Sequence, residues 1–123
     1  MNCIFCNIEQ SRIIDQDAFF FVIRDGYPVT EGHSLFIPYR HALTWFDLTS
    51  EEHAALNALL TKQKKLLQEA DNTITGFNIG MNCGEDAGQS VMHCHIHLIP
   101  RRKGDMEDPK GGVRGVIPHK QKY

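Results

Sequence analysis

The sequence predicts an α+β fold built on a largely antiparallel sheet. Three observations carry that expectation. Short apolar, β-branched and aromatic runs recur between turn residues, one long stretch shows helical spacing, and helices and strands do not alternate regularly. At 123 residues the length suits one domain spanning 1–123. Folding should bury roughly two-thirds of its unfolded surface.

The elements follow in order. DAFFFVIRD, from Asp17 to Asp25, is an apolar and aromatic run that reads as a buried strand. Gly26, Pro28 and Gly32 break it, and SLFIPY resumes as a strand stopped near Pro38. In DLTSEEHAALNALLTKQKKLLQEA, Thr49 and Glu52 form a capping box in which each side chain satisfies a free amide of the first turn. Leu56, Leu59, Leu60, Leu67 and Ala70 then share one helical face opposite Lys62, Lys64 and Lys65, with His53 expected to be exposed. GFNIGMN, Gly76 to Asn82, alternates as a strand and leads into the polar, glycine-containing loop CGEDAGQ. QSVMHCHIHLIPRR is the last long strand, ended by Pro100, and DPKGGVRGVIPHKQKY reads as an extended tail lying on another element.

Composition narrows the function classes. A formal net charge of −2 argues against a broad nucleic-acid-binding face. The late basic residues Arg101 to Lys103, Lys110, Arg114, Lys120 and Lys122 read as a solvated strand end and tail, so an anionic substrate needs local positive potential from histidines, this cluster and backbone amides. The start has no basic stretch followed by an apolar core of a secretory signal, and no run reaches the roughly 18 apolar residues of a membrane span. A cytoplasmic protein without membrane or nucleic-acid partners is expected. Its four cysteines are then reduced thiols.

The chemistry concentrates in His93, His95 and His97. On a strand these alternate positions share one face, while Cys94, Ile96 and Leu98 share the apolar face that packs on the core. Adjacent same-face residues lie roughly 6.6 Å apart and the outer two roughly 13 Å. Zinc–nitrogen bonds of about 2.0–2.1 Å therefore prevent a flat strand from bringing all three rings to one ion. Two of them, or one with distant partners, remain able to bind a metal. Nucleophilic catalysis is equally coherent. An imidazole with a pKa near 6.5 is roughly three-quarters neutral at pH 7, and its lone pair can attack phosphorus to give a phosphoramidate. Neighbouring histidines can hold phosphate oxygens or protonate the departing group, and NCGEDAGQS can supply amides and the Ser90 hydroxyl.

HCHIHLI, preceded by AGQS, resembles the His-x-His-x-His signature of the histidine triad (HIT) superfamily. The resemblance runs through CIFCNI, RDGYPVTEGHSLFIPYRH, FNIGMNCGEDAGQSVMHCHIHLIPR and GGVRGVIPHKQKY, and is nearest to the diadenosine polyphosphate hydrolase-like and nucleoside phosphoramidase-like branch. It implies a HIT-like fold: a five-stranded antiparallel sheet with one long and one short helix. It implies that His95 is the nucleophile at the α-phosphate of a purine nucleotide, forming a nucleotidyl-histidine. His97 contacts the phosphate and assists the leaving group, His93 orients the nucleophile through its backbone carbonyl, and His33 is an additional histidine near the phosphates. Asn82, Gln89 and Ser90 match phosphate-loop and leaving-group contacts. Asp25, where some relatives carry asparagine, matches the ribose-binding residue, and Ile4, Phe5, Ile8 and Ile23 match the base pocket. Some relatives with this C-x-x-C start bind zinc through residues matching Cys3, Cys6, His41 and His93, a closed Cys₂His₂ set that the chemistry does not require. Relatives are also commonly homodimers joined through the long helix and an edge strand. The expected activity is hydrolysis or transfer on dinucleoside polyphosphates or nucleoside phosphoramidates. A zinc-dependent hydrolase and a non-catalytic nucleotide-binding partner protein are the alternatives.

Overall fold

The computed structural model describes residues 3–123. Strands β1 (Ile13–Gln16), β2 (Phe20–Arg24), β3 (Ser34–Pro38), β4 (Ile74–Gly80) and β5 (Ile96–Arg102) form one sheet in the order β1-β2-β3-β5-β4. Every neighbouring pair is antiparallel. Helix α1 (Ser50–Ala70) is the one α-helix among the described residues, and the other helical segments are 3-10 turns of three or five residues. The short helix implied by the resemblance is thus present only as such turns, one of them Trp45–Asp47 capped by Thr44.

The expected strands and helix form, with β1 in addition, but the last strand begins only at Ile96: His93 and His95 lie in the irregular segment before it, where neither β3 nor β4 pairs with them. The β1 sequence IIDQ is too short to show a clear alternation, and its position rests on tertiary partners. Asp15 accepts from Gln63 Nε2 at 2.8 Å and Lys62 Nζ at 3.0 Å, which ties β1 to the helix and satisfies a glutamine on the buried helical stripe. The capping box forms as read: Glu52 N–H donates to Thr49 Oγ1 at 3.1 Å, and Thr49 N–H donates to Glu52 Oε1 at 2.8 Å. Glu52 is buried beside Arg40, whose guanidinium holds the carboxylate pKa below its ordinary value. The helix buries Leu56, Leu59, Gln63 and Leu67, whereas Leu60 is half-buried and Ala70 exposed. His53 is half-buried instead of exposed, with its ring 4.3 Å from Trp45.

Each face of the sheet carries its own core. Phe20, Val22, Phe36, Cys94, Ile96 and Leu98 pack against Leu56, Leu59 and Leu67 of α1. On the opposite face Phe21, Ile23, Leu35 and Ile37 lie beneath Phe5, with Cys3, Ile8 and Val91 packed alongside. The segment before β1 is therefore a lid of side chains over the face that carries the histidines.

Two further expectations change. Pro100 does not end β5, which continues to Arg102 paired with β4. The last β5 residue paired with β3 is Leu98, so Pro100 lies where one side of the strand has no strand neighbour and the missing N–H is tolerated. The tail is folded into turns at Gly112–Val116 and Pro118–Lys120, not extended. Gly111 makes this possible: its φ is +86°, and a Cβ there would stand 2.0 Å from the Gln121 carbonyl oxygen. No helix among the described residues is long and apolar enough to cross a membrane.

Candidate functional site

The histidine stretch enters β5 through a bent, irregular segment anchored by the Cys94 amide, which donates to the Ala42 carbonyl at 2.7 Å. Cys94, Ile96 and Leu98 bury on the helix side. The three histidine rings occupy the other face, where Phe5 packs edge-on against His93 at 6.1 Å and His95 at 5.0 Å between centroids. His97 follows 5.4 Å from His95.

Each ring has a fixed partner. His95 Nδ1 lies 2.8 Å from the His93 carbonyl oxygen. A carbonyl only accepts, so Nδ1 carries the proton and Nε2 keeps the lone pair. His93 is fully buried, and its Nε2 donates to the Pro38 carbonyl at 2.8 Å. By the same argument His93 Nδ1 is unprotonated. It points at Cys3 Sγ, 3.3 Å away, and Cys6 Sγ, 3.5 Å away, while His41 Nδ1 is 3.2 Å from Cys6. The four donor atoms lie within 4.8 Å of one another. Two thiols and two imidazoles at this spacing fit a tetrahedral zinc site, and the His93 Nε2–H bond to a backbone carbonyl is the outer contact that orients a metal-binding imidazole.

A second group gathers Asp25, His33 and His97. His33 is 2% exposed; the Val29 N–H donates to its Nδ1 at 3.0 Å, and its Nε2 is 2.9 Å from His97 Nδ1. Asp25 Oδ2 stands 3.4 Å from His33 Nε2 and 4.0 Å from His97 Nδ1. Burial, with smaller repulsion from His95 and His33, pushes the His97 pKa down to about 4. At neutral pH this ring is uncharged.

The loop between β4 and the histidines is held from within. Gly84 and Gly88 each take a φ of +95°. Gln89, 3% exposed, accepts from the Gly84 N–H at 2.8 Å and donates to the carbonyls of Leu43 at 2.8 Å and Val91 at 3.1 Å. Its amide thus closes the loop on itself. Ser90, Glu85 and Asp86 are exposed. Asn82 is half-buried and lines a cavity of about 460 Å³ with His33, His97, Val29, Val113 and Val116. A separate cavity of about 520 Å³ is lined by Cys3, Ile4, Asn7, Ile8, Glu9 and Arg12. Ile4 is 60% exposed at that mouth, Ile8 half-buried, and Phe5 and Ile23 lie in the core beneath.

Much of the late basic cluster is occupied. Arg101 pairs with Asp105 and donates to Asn78, Arg102 pairs with Asp71, and Lys122 with Asp108. Lys110 and Arg114 both sit 4.9 Å from the Tyr123 ring centroid. Sequence reasoning missed three contributors here: the Pro38 carbonyl, the Val29 amide, and Phe5 as a wall for two histidine rings. The first two are backbone groups and leave no residue-type signal.

Comparison with known proteins agrees with this geometry. The HIT domain family model matches residues 7–104. A zinc-bound histidine triad family protein from Mycobacterium smegmatis superposes with a TM-score of 0.78 at 35% identity, over 88% of this chain and 81% of that one. Diadenosine triphosphate hydrolase of Plasmodium falciparum superposes with a TM-score of 0.75 at 29% identity, over 82% of this chain and 68% of that one. The AP-4-A phosphorylase of Mycobacterium tuberculosis is 33% identical over 98 residues, which are 79% of this chain and half of that protein's length. With a matched segment that contains the triad, its loop and both nitrogen-to-carbonyl anchors, the chain belongs to the HIT domain family.

Proposed function

We propose that the chain is a nucleotide hydrolase or transferase that cleaves at the α-phosphorus of purine nucleoside 5′-phosphate derivatives through a covalent nucleotidyl-His95. The observation that carries this reading is the 2.8 Å contact from His95 Nδ1 to the His93 carbonyl. It directs the ring's proton away and leaves Nε2 as a neutral nucleophile. The names of the P. falciparum and M. tuberculosis relatives support dinucleoside polyphosphates as the substrate class.

In the first step the Nε2 lone pair forms a P–N bond as the bond from phosphorus to the leaving group breaks. The leaving group takes up a proton from water, while His97 hydrogen-bonds the phosphate and the departing oxygen. In the second step water, or phosphate in a transfer reaction, attacks phosphorus and the P–N bond returns its electron pair to Nε2. Asp25 accepts from the ribose hydroxyls. Asn82, Ser90 and Gln89 serve the phosphates and leaving group, with Gln89 acting through the amides of the loop it closes. Ile4, Phe5, Ile8 and Ile23 form or back the base pocket.

Zinc held by Cys3, Cys6, His41 and His93 supplies a structural crosslink when bound. Their side chains would then fasten the Phe5 segment to the histidine stretch, and the chemistry draws only on the backbone carbonyl of His93. The free edge of β4, with Ile79 55% exposed, supports a homodimer. The test is turnover of diadenosine polyphosphates and adenosine 5′-phosphoramidates, with and without chelator. Release of nucleotide that persists after chelation and vanishes in His95→Ala supports the reading. Binding without turnover, or turnover stopped by chelation below the unfolding temperature, rejects it.

A further inference from the structure

His33 has no nitrogen to offer a substrate. Its ring is 2% exposed, Nδ1 accepts the Val29 N–H at 3.0 Å, and Nε2 faces His97 Nδ1 at 2.9 Å. A ring nitrogen that accepts a backbone N–H carries the lone pair, so the proton of neutral His33 sits on Nε2. The two nitrogens facing each other share a single proton, and that proton belongs to His33. His97 Nδ1 is therefore the acceptor, and the proton of neutral His97 is displaced to Nε2.

The neighbouring carboxylate makes this consequential. Asp25 Oδ2 stands 4.0 Å from His97 Nδ1. Without His33, that oxygen is a polar partner close to Nδ1, and it can only accept. His97 would then hold its proton on Nδ1 and present a bare Nε2 lone pair to an anionic phosphate. With His33 in place, the ring presents an N–H donor instead.

We infer that His33 is a positioning residue which, held by the Val29 amide, fixes His97 in the tautomer that carries its proton on Nε2, facing the substrate phosphate. The link to phosphate rests on the proposed function; the tautomer itself is a property of the protein without ligand. Burial keeps both rings below their ordinary pKa, so at neutral pH the tautomer is the relevant variable. Asp25 has two duties in this arrangement, since the carboxylate that accepts ribose hydroxyls is also the competitor that His33 excludes.

The imidazole ¹⁵N spectrum of the uniformly labelled full chain at pH 7 tests this directly. In the wild type, both His33 and His97 are expected to show protonated Nε2 and unprotonated Nδ1. In His33→Leu the His97 pattern is expected to invert, and kcat for nucleotide release to fall by at least about tenfold with KM changed far less. His33→Gln, whose amide N–H can reach His97 Nδ1, is expected to restore the wild-type pattern and most of kcat. A wild-type His97 protonated on Nδ1 overturns the inference, as does an unchanged pattern in a folded His33→Leu. If no nucleotide is turned over at all, the functional reading fails while the spectra still decide the tautomer.

Discussion

Nδ1 of His95 lies 2.8 Å from the carbonyl oxygen of His93, and His93 is in turn pinned through its own Nε2 to the carbonyl of Pro38, also at 2.8 Å. The proposed nucleophile is thus oriented by the backbone of a residue whose side chain is locked to the end of β3. Replacing His93 with alanine removes that lock and opens a buried space beside Phe5. We expect kcat to fall about 10–100-fold with a smaller change in KM, measured by steady-state kinetics on a folded variant.

The Cys₂His₂ group gives a metal prediction. The protein is expected to bind one zinc per chain by elemental analysis, and Cys6→Ser to lose most of it. Chelation should lower the melting temperature, because the ligands tie the segment before β1 to the loop after β3 and to the segment leading into β5. Turnover at temperatures well below melting should survive.

Gln89 closes its loop with three hydrogen bonds from a buried amide. Gln89→Ala leaves the Gly84 N–H and the Leu43 and Val91 carbonyls without that partner. The expected cost is about 1–3 kcal/mol in denaturant unfolding. Activity should fall as well, because the same loop presents Asn82 and Ser90.

How legible this site was depends on the kind of group involved. His93, His95 and His97 declared themselves by spacing, since period-two alternation with Cys94, Ile96 and Leu98 assigns the two sides, although the strand itself begins only at Ile96 and the two earlier histidines are held by side-chain and carbonyl partners instead of a ladder. The α1 capping box was equally local. Strand β1 was not readable, because four residues show too little pattern and Asp15 finds Gln63 and Lys62 only after folding. Pro100 misled as a strand end because the rule concerns a missing N–H, and whether a neighbour needs that N–H depends on where β3 stops. The tautomer-setting groups, the Val29 amide and the Pro38 carbonyl, carry no side-chain signature at all.

Acid should destabilise the protein through His97. Its folded pKa of about 4 lies below the ordinary imidazole value of 6.5, so the unfolded chain binds the proton more readily. The contribution is fully present above about pH 6.5 and is lost progressively as pH falls toward 4. Denaturant midpoints measured from pH 7.5 to 4.5 should decline in the wild type and decline less in His97→Gln. An equal slope in the two proteins would show that His97 is not the group responsible.

The helix cap offers a control outside the site. Thr49→Ala removes the acceptor for the Glu52 N–H and is expected to cost about 1 kcal/mol in urea unfolding, leaving kcat unchanged at permissive temperature.

The central claim, that His95 carries the nucleotide, has a direct test. Rapid acid-free denaturation during turnover of an α-³²P-labelled adenosine 5′-phosphoramidate or diadenosine polyphosphate, followed by peptide mapping, locates any covalent adduct. The account expects an acid-labile, base-stable nucleotidyl group on the peptide containing His95, and none in His95→Ala. Label that persists in His95→Ala, or that maps to another residue, contradicts it.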